Sequence, residues 1–440
     1  MSLVEQVKQA GVIGAGGAGF PTHIKLAAHV EYFLVNGAEC EPLMHKDREL
    51  MTHFAADIIA SIKLARQCVG AKQAVIGIKS KNKEALAAIN NAIDDPAISI
   101  HEFGDYYPVG DEVELVYGIT GRHIPPQGLP LDVGCVVNNV ETVYNIYRAN
   151  QNLPVTDTFI TITGLVKKPV TTRVPVGMTV QDVLQLAGSP TIAEYGIMES
   201  GLMMGKLVTD LQKPVNKTSG GLIVLPADHP VITRYSKTRQ QMDRIGHSAC
   251  DQCSFCTELC PRYLLGYDIQ PHQVMRSLGF SVMGPELWNK YALLCCQCGI
   301  CSLYACPEML YPREACARGI QELRAAGKGT WQGSREVKTH PMHDSRRLPL
   351  KQLMNRLGVA GYDAHAEYTE TNVQPEIVHI CLHQNVGAPA EAVVSVNDRV
   401  TKGQLVGRIP EGKLSANVHA SITGRVTAIK DNMLIIERGK

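Results

Sequence analysis

Hydrophobic and polar residues follow two different periods along the first third of the chain. Residues 57–69 repeat apolar positions every three to four residues, which predicts an amphipathic helix, and a more polar helix is predicted over residues 81–93. Short apolar runs at residues 74–78 and 98–100 predict buried strands on either side of the second helix. This order predicts a layered α/β domain with a parallel sheet, which we place at residues 1–155.

The pattern changes in the middle of the chain. Residues 159–164, 171–175 and 220–225 are short β-rich runs, and a helix is predicted over residues 180–184. This mixture indicates a small α+β domain, which we place at residues 156–235 and call the second domain.

The remaining three segments differ in composition and in the secondary structure that they predict. Residues 236–328 are rich in cysteine, and residues 329–372 form a polar, basic stretch that predicts a linker with one helix over residues 350–357. Residues 373–440 alternate strand and turn signals without a convincing helix, which predicts an all-β module. A chain of 440 residues is too long for one hydrophobic core, so we expect a multidomain α/β and α+β protein.

Charge and apolar runs limit the classes of partner. The chain has 43 Lys and Arg against 42 Asp and Glu, so no excess positive charge attracts nucleic acid. No long uncharged apolar run predicts a membrane span, and the first residues lack the pattern of a signal peptide. We therefore expect a cytoplasmic protein with neither a nucleic-acid partner nor a membrane span.

Fourteen cysteines need an explanation, and nine of them lie between residues 250 and 306. Disulfides are not expected where nothing signals export. The first run, Cys250-x2-Cys253-x2-Cys256-x3-Cys260-Pro, matches the bacterial ferredoxin pattern, in which the fourth cysteine ligates the other cluster. We therefore expect two [4Fe–4S] clusters in a ferredoxin-like segment.

The second run is one residue longer before its last cysteine. Its pattern is Cys295-x2-Cys298-x2-Cys301-x4-Cys306-Pro. Cys296 is an alternative to Cys295, but the two-residue gap favours Cys295. We assign one cluster to Cys250, Cys253, Cys256 and Cys306, and the other to Cys260, Cys295, Cys298 and Cys301. A structural zinc site is the alternative, but zinc usually takes two CxxC pairs rather than two CxxCxxC runs.

A glycine-rich string, GAGGAGFPTHIK, occupies residues 14–25. It contains GxGxxG but follows a helical pattern instead of the strand that a dinucleotide fingerprint requires. Residues without a bulky side chain let backbone N–H groups approach phosphate, and Lys25 adds positive charge. The alternative is a loop that serves packing only.

Carboxylates and amides recur after predicted strands. The strings are VNGAECEP at residues 35–42, GDE at residues 110–112 and VNNVET at residues 137–142. Ligands of α/β sheets bind beyond the carboxyl ends of strands, so these strings predict a ligand site together with the glycine loop. Each string alone would indicate only a solvated surface.

The ordered strings resemble the flavin subunit of respiratory complex I and, more closely, the RnfC component of the Rnf ferredoxin:NAD oxidoreductase. The strings GLMMG at residues 201–205 and TSGG at residues 218–221 resemble the ubiquitin-like SLBB domain that follows in both families. The resemblance covers residues 1–325. It implies a complex I flavin-subunit-like domain that binds FMN, over which NADH stacks.

The resemblance also implies residue roles. Residues that would contact the flavin phosphate or the nicotinamide nucleotide are Gly14, Gly16, Gly17, Gly19, Lys25, Asn138 and Asn139. Phe20 would help to hold the adenine, and Asn36 would face the flavin. Residues that would lie on the NADH side or near the isoalloxazine ring are Glu39, Glu41, Gly110, Asp111 and Glu112. Ala38 departs from the respiratory pattern, which has an acidic residue there, so one flavin contact is expected to be lost or replaced.

The β-rich residues 393–437 resemble a biotinyl/lipoyl-like barrel-sandwich hybrid. Lys413 does not lie in a typical lipoyl turn, so docking is expected rather than a swinging arm. This C-terminal position and the string CCQCGIC at residues 295–301 resemble the cobalamin reductase family of propanediol-utilisation microcompartments.

That last resemblance implies an activity. NADH would reduce FMN, the clusters would carry single electrons, and cob(II)alamin would be reduced to cob(I)alamin for an adenosyltransferase. Location within a bacterial microcompartment, with shell proteins as partners, is also implied. No catalytic acid, base or nucleophile is predicted. Two alternatives are an RnfC-like module with another acceptor, and a cluster-binding relay that binds no nicotinamide.

Overall fold

A computed structural model describes residues 1–279 and 289–439. The first domain is built on a parallel four-stranded sheet in the order β3-β2-β1-β5. Its elements are α1 (Leu3–Gln9), α2 (Thr22–Leu26), β1 (Tyr32–Gly37), α3 (Lys46–His53), α4 (Ala55–Cys68), β2 (Gln73–Lys79), α5 (Lys83–Ala92), β3 (Ile98–Phe103), β4 (Tyr106–Tyr107), α6 (Glu112–Thr120), β5 (Cys135–Asn139) and α7 (Val140–Asn150). The predicted helices and the parallel sheet are confirmed.

The central strand of this sheet explains where ligand-binding groups can lie. Phe33, Leu34 and Val35 are fully buried, because helices cover both faces of the sheet. Polar residues are therefore confined to the strand ends. Since β1 and β5 run parallel and pair directly, the ends at Gly37 and Asn139 lie at the same edge.

The second domain is a five-stranded mixed sheet in the order β7-β6-β10-β8-β9. Its elements are β6 (Asp157–Gly164), β7 (Val170–Pro175), α8 (Val180–Gln185), β8 (Tyr195–Glu199), β9 (Lys206–Leu207) and β10 (Gly221–Pro226). Strands β6 and β10 are parallel, and the other pairs are antiparallel. The predicted α+β character is confirmed.

Short helices dominate the cysteine-rich segment. They are α9 (Pro230–Tyr235), α10 (Arg239–Ala249), α11 (Phe255–Glu258), α12 (Pro261–Leu264), α13 (Pro271–Arg276) and α14 (Pro312–Ala325). A π-type turn spans Cys301–Ala305. Cys256 lies in α11 and Cys301 begins the π-type turn, whereas the other cysteines of the two runs lie in irregular stretches between these elements.

The stretch predicted as a linker, residues 329–372, is folded onto the other domains. It contributes β11 (Leu348–Pro349), which pairs antiparallel with β4, and α15 (Leu350–Leu357). Leu353 of α15 is fully buried in a core shared with Met198 of the second domain and Ile300 of the cysteine-rich segment. This stretch therefore holds domains together, because its apolar residues are covered by both neighbours.

The C-terminal module has two small sheets, ordered β12-β18-β17-β14 and β13-β15-β16, around a shared apolar core. Its strands are β12 (Ile377–Cys381), β13 (Glu391–Ala392), β14 (Arg399–Val400), β15 (Leu405–Arg408), β16 (Val418–His419), β17 (Gly424–Lys430) and β18 (Met433–Glu437). Residues 377–439 contain no helix, as predicted. Across the described parts of the chain, none of the helices has the length and apolar character needed to cross a membrane.

Candidate functional site

The glycine loop, residues 14–19, is an exposed turn closed at its base. Ile13 and Pro21 form the bridge at its base, and the Gly19 N–H donates to the Gly14 carbonyl at 3.1 Å. Gly16, Gly17 and Ala18 are exposed, and within the described chain their N–H groups donate no hydrogen bond. Free backbone amides on one turn are suited to binding an anionic group such as phosphate.

The N-terminus of α7 faces this loop. The Asn139 side chain caps α7 by accepting from the Glu141 N–H at 2.9 Å. Its amide donates to Asp47 Oδ2 at 2.7 Å. A Cβ on Gly16 would lie 3.2 Å from the Asn139 Cβ, so loop and helix end are in direct contact. The positive end of the helix dipole adds to the loop's preference for an anion.

Buried polar atoms without partners lie beside the loop. Asn138 is 4% exposed, and its Nδ2 has no hydrogen-bond partner in the described structure. The same is true of Asp47 Oδ1, although the other Asp47 oxygen is bonded to Asn139. Because buried polar groups are normally satisfied, these atoms are available to a ligand. The loop, the helix end and Asn138 together fit a flavin with its phosphate.

Phe20, Lys25 and Glu112 form a row next to the glycine loop. Lys25 Nζ donates to the Val137 carbonyl at 2.7 Å and lies 3.4 Å from Glu112 Oε1. The ammonium is 6.0 Å from the centre of the Phe20 ring. The Glu112 side chain is 44% exposed, so its carboxylate can still reach a ligand.

Asn36 and Gly110 join the end of β1 to the start of α6. The Asn36 amide donates to the Gly110 carbonyl at 2.8 Å, and its Oδ1 accepts from the Ala38 N–H at 3.2 Å. A Cβ on Gly110 would come within 2.9 Å of the Ala38 carbonyl, so glycine is needed for this approach. Ala38 is fully buried, which leaves its side chain no ligand contact.

Three predicted carboxylates are used inside the protein instead. Glu41 accepts from the N–H groups of Met203 at 2.9 Å and Met204 at 2.8 Å, and burial raises the pKa of Glu41 to about 7. Both of its oxygens therefore bind the second domain, and the expectation that Glu41 faces NADH stays a prediction. Glu39 Oε2 accepts from the Asp47 N–H at 3.2 Å, and burial raises the pKa of Glu39.

Asp111 is also bonded within the protein. Its Oδ1 caps α6 through the N–H groups of Val113 and Glu114, and its Oδ2 binds Arg262 at 3.0 Å. Both carboxylate oxygens are thus bound within the protein, and a contact of Asp111 with the isoalloxazine ring stays a prediction. The reason lies in tertiary structure, because Arg262 comes from the cysteine-rich segment 151 residues away.

One set of cysteines, the outer cysteine group, lies near the surface. Its members are Cys250, Cys253, Cys256 and Cys306. Burial raises the pKa of the Cys256 thiol to about 12, and the neighbouring thiols of the other three members raise it further. Cys253 is exposed, and Cys250 packs with Cys306 in one apolar cluster. The four cysteines predicted to bind one cluster are therefore together.

The inner cysteine group contains Cys260, Cys295, Cys298 and Cys301. Burial raises the pKa of Cys260, with Cys296 and Cys295 as neighbouring thiols, and burial raises that of Cys301, with Cys295 and Cys260 as neighbours. A hydrogen bond with Cys296 and then burial raise the pKa of Cys298. The second predicted set is also brought together, and Cys296 lies beside it.

The two cysteine runs share one backbone pattern. In the first run the second and fourth residues after Cys250, Gln252 and Ser254, have positive φ. In the second run Gln297 and Gly299 hold the same positions relative to Cys295. Each glutamine also donates its side-chain amide to the first cysteine of its run at 3.2 Å. By this register Cys295, and not Cys296, corresponds to Cys250.

The extra residue in the second run is absorbed by the π-type turn at Cys301–Ala305. A π turn closes over one more residue than an α turn. Cys306 reaches φ −74° and ψ 117°, close to the φ −72° and ψ 123° of Cys260 in the first run. The last cysteine of each run therefore has the same backbone conformation despite the different spacing.

The inner cysteine group is in direct contact with the first domain. The Tyr107 hydroxyl donates to the Cys298 carbonyl at 2.6 Å, and Arg262 next to Cys260 binds Asp111. Val113 of α6 packs in one apolar cluster with Cys260 and Cys295. The inner group is therefore enclosed between the glycine-loop domain and the outer group.

Four family descriptions match successive parts of the chain. The Nuo51 FMN-binding domain matches residues 7–148, and the SLBB domain matches residues 159–206. A 4Fe-4S dicluster domain matches residues 249–311, and the RnfC barrel sandwich hybrid domain matches residues 363–439. These matches confirm the predicted fold classes and their order along the chain.

Relatives with the same name match this chain from end to end. Cobalamin reductase PduS of Salmonella typhimurium is 41% identical over 436 residues, which cover 99% of this chain and 96% of the relative. The chain belongs to the PduS cobalamin reductase family. With its FMN-binding and 4Fe-4S domains, this family member is a flavin and iron–sulfur electron-transfer oxidoreductase.

Two further similarities cover less of this cobalamin reductase family member. The RnfC-type component of the Na(+)-translocating ferredoxin:NAD(+) oxidoreductase complex of Acetobacterium woodii is 34% identical over 272 residues, covering 60% of this chain and 58% of that protein. A crystal structure of NAD+-reducing [NiFe]-hydrogenase is 23% identical, with a TM-score of 0.49, covering 82% of this chain and 63% of that chain.

Sequence reasoning missed several residues that build the site in this family member. Tyr107 and Arg262 connect the inner cysteine group to the first domain, and Val386 of the C-terminal module donates its N–H to the Gly19 carbonyl at 3.0 Å. No local pattern identifies such residues, because each acts through a partner far away in sequence. The only sequence signal for Arg262 is its position directly after the Cys260-Pro string.

Proposed function

We propose that this chain is an NADH-dependent cobalamin reductase that uses FMN and two [4Fe–4S] clusters. The main support for this proposal is the contact of the inner cysteine group with the first domain through Tyr107, Asp111 and Arg262. This contact supports a continuous path for electrons from the glycine loop, through the two cysteine groups, to the protein surface at Cys253. The balanced reaction is NADH with two cob(II)alamin giving NAD⁺, H⁺ and two cob(I)alamin.

FMN would be held by backbone amides and buried side-chain amides. The amides of Gly16, Gly17 and Ala18 and the end of α7 would bind its phosphate, with Asn138 Nδ2 as a further donor. When bound, the flavin accepts two electrons from a nicotinamide and releases them singly. Enclosure of the inner group between domains keeps water away from the transfer.

NADH would meet the exposed side of the same site. Glu112 is exposed and its carboxylate can accept from ribose hydroxyls, while Lys25 holds Glu112 in place and can contact the nucleotide's phosphate. Phe20 offers a ring for stacking beside them. The identity of the donor as NADH rests on this row and on the NAD(+)-linked name of the Acetobacterium woodii relative.

The eight predicted cysteines would hold the two clusters, one in each cysteine group. The register of positive-φ residues supports Cys295 as the inner ligand, with Cys296 as an unliganded neighbour. The description of residues 249–311 as a dicluster domain supports the count of two.

The biological setting is carried over from the relatives and is part of the proposal. Cob(I)alamin is a strong nucleophile that has to be alkylated promptly, so a corrinoid adenosyltransferase is the expected partner. Location inside a bacterial microcompartment, next to its shell proteins, follows from the propanediol-utilisation resemblance of the chain.

Anaerobic spectroscopy of the purified holoprotein tests the proposal. NADH should bleach the flavin absorbance, and added cob(II)alamin should then be converted to cob(I)alamin with two corrinoids reduced per NADH. A protein whose flavin is bleached by dithionite but not by NADH would contradict nicotinamide dependence. NADH oxidation that proceeds with ferredoxin but never with cob(II)alamin would favour the RnfC-like alternative.

A further inference from the structure

An open groove of about 560 Å³ lies beside the outer cysteine group. Its floor comes from both cysteine runs and its far wall from α15. The lining residues are Phe255, Leu259, Tyr304, Ala305, Gln352, Asn355 and Arg356. Phe255 directly precedes Cys256, and Tyr304 lies two residues before Cys306. The groove floor is thus built from the loops that carry the outer group.

The position of the groove fits the exit end of the electron path. The inner group is enclosed between domains, whereas Cys253 of the outer group is exposed. Among the described residues, the outer group is therefore the more accessible of the two to an electron acceptor. Phe255 is 48% exposed at this point. An exposed aromatic side chain that lines a groove is typical of a binding site.

The two walls of the groove differ in chemistry. Phe255, Leu259 and Tyr304 give an apolar floor suited to a flat ring system. Gln352, Asn355 and Arg356 are exposed on α15, and in the described structure the side chains of Asn355 and Arg356 make no hydrogen bond or ion pair. Side-chain amides and an unpaired guanidinium therefore face a ligand across the apolar floor.

We propose that this groove binds the corrinoid itself, with the ring on the apolar floor and its peripheral amides against Gln352 and Asn355. Arg356 complements the single negative charge of the phosphodiester in the nucleotide tail of cobalamin. This assignment rests on the proposed cobalamin reductase function. It gives that function a place where one electron passes from the outer group to the cobalt of cob(II)alamin. The cobalt–benzimidazole bond opens as four-coordinate cob(I)alamin forms, and no proton is exchanged.

Binding of cyanocobalamin to the oxidised holoprotein, measured by equilibrium dialysis, tests the groove without electron transfer. Asn355→Trp should fill the groove and abolish measurable binding. Arg356→Ala should weaken cyanocobalamin binding about tenfold, because a charge-assisted contact is lost. Binding of cobinamide, which lacks the phosphodiester, should not change in Arg356→Ala. Lys351→Ala removes a cation from the same helix outside the groove and serves as the matched control.

Steady-state kinetics give the second readout. The KM for cob(II)alamin should rise about tenfold in Arg356→Ala and further in Asn355→Trp. Iron content and NADH-driven ferricyanide reduction should match the parent in both variants, since neither residue lies in a cysteine run.

Three outcomes would overturn the assignment. They are a parent protein that binds no free cyanocobalamin, groove variants that bind it as the parent does, and cob(II)alamin reduction that requires an adenosyltransferase to present the corrinoid. Failure of the proposed function can be told apart from failure of the groove assignment. If NADH cannot reduce the parent protein, dialysis still measures whether the groove binds cyanocobalamin.

Discussion

The glycines of the glycine loop differ in what a side chain would meet. At Gly16 a Cβ would press on Asn139 at 3.2 Å, whereas at Gly19 it would meet the Gln384 carbonyl of the C-terminal module at 3.0 Å. Gly17 has open space but a φ of +102°, which other residues rarely adopt. The loop is therefore constrained by the helix end on one side and by the module on the other.

Gly16→Val is expected to cost the protein its FMN while the clusters remain. The branched side chain would displace Asn139 and cover the amides that are proposed to bind phosphate. The flavin and iron contents of the purified variant measure this. Gly361→Val is the matched control, because a Cβ at Gly361 meets nothing within 4 Å. Full FMN occupancy in Gly16→Val would mean that the loop serves packing only.

Glu112→Gln is expected to weaken NADH binding about ten- to hundredfold, because a charge-assisted hydrogen bond contributes about 1.5–3 kcal/mol. The variant keeps the side chain's shape, and FMN binding should survive. Stopped-flow reduction by NADH and by dithionite separates the two effects. Equal NADH reduction of variant and parent at low NADH concentration would remove Glu112 from the nucleotide site.

Residue types alone could not show which of the acidic residues is accessible to NADH. Glu41 and Glu112 occur in similar strings after strands, yet Glu41 is bonded to the second domain and Glu112 remains exposed. The deciding contacts come from Met203 and Met204, over 160 residues away. By contrast, the glycine string and Asn138 could be proposed as ligand contacts from local sequence, since backbone approach and strand-end position follow from sequence.

At the scale of elements, the two cysteine runs form a repeated unit with one insertion. Positive φ recurs at the second and fourth residues after Cys250 and Cys295, and the π-type turn takes up the additional residue before Cys306. The sequence predicted the pairing of the runs from spacing. Spacing favoured Cys295 over Cys296 but did not exclude Cys296, and the backbone register now supports Cys295.

Cys295→Ser is therefore expected to lower the iron content from roughly eight to roughly four atoms per chain. Cys296→Ser, the adjacent control, should keep the full content. Iron analysis and electron paramagnetic resonance of the reduced proteins report the loss. The reverse result, with iron lost only in Cys296→Ser, would mean that the second run is shifted by one residue.

Local periodicity predicted several of the helices and strands but not the surfaces against which they pack. Helix α15 was predicted at its observed bounds within a supposed linker. Its buried residue Leu353 packs against two other domains, which no pattern within residues 329–372 indicates. The polar composition of residues 329–372 suggested an exposed linker. In the structure, a few apolar residues at helical spacing are enough to pack this stretch against its neighbours.

At the scale of the whole molecule, Lys217 joins three parts of the chain. It is 4% exposed, and its Nζ donates to the Gly11 carbonyl at 2.7 Å and to the Asn417 carbonyl at 3.0 Å. Burial lowers the pKa of Lys217 to about 7 from its usual 10.5. His419 lies close by, and burial lowers its pKa to about 3, so it stays neutral.

This lysine is expected to make stability rise with pH. Between pH 7 and pH 10.5 the unfolded chain binds a proton that the folded chain lacks. The free energy of unfolding then increases by up to about 1.4 kcal/mol per pH unit, and this gain is lost as pH falls towards 7. Lys217→Met should remove that dependence.

Thermal unfolding of parent and variant at pH 7.5 and pH 9.5, about two units apart, measures the difference and cancels other titrating groups. Lys206→Met, at an exposed position of the same domain, is the control. The same pH dependence in Lys217→Met and in the parent would exclude Lys217 as its source.

The C-terminal module lies against the beginning of the chain. The Asn417 amide reaches the Lys8 carbonyl at 3.3 Å and the Gln9 carbonyl at 3.5 Å. A module fixed there could be encoded before α1 as readily as after the cysteine domain, with the same three-dimensional arrangement. Gene rearrangement that moves this module from one end of the coding sequence to the other would thus be neutral for folding, and a permuted gene should yield an active enzyme.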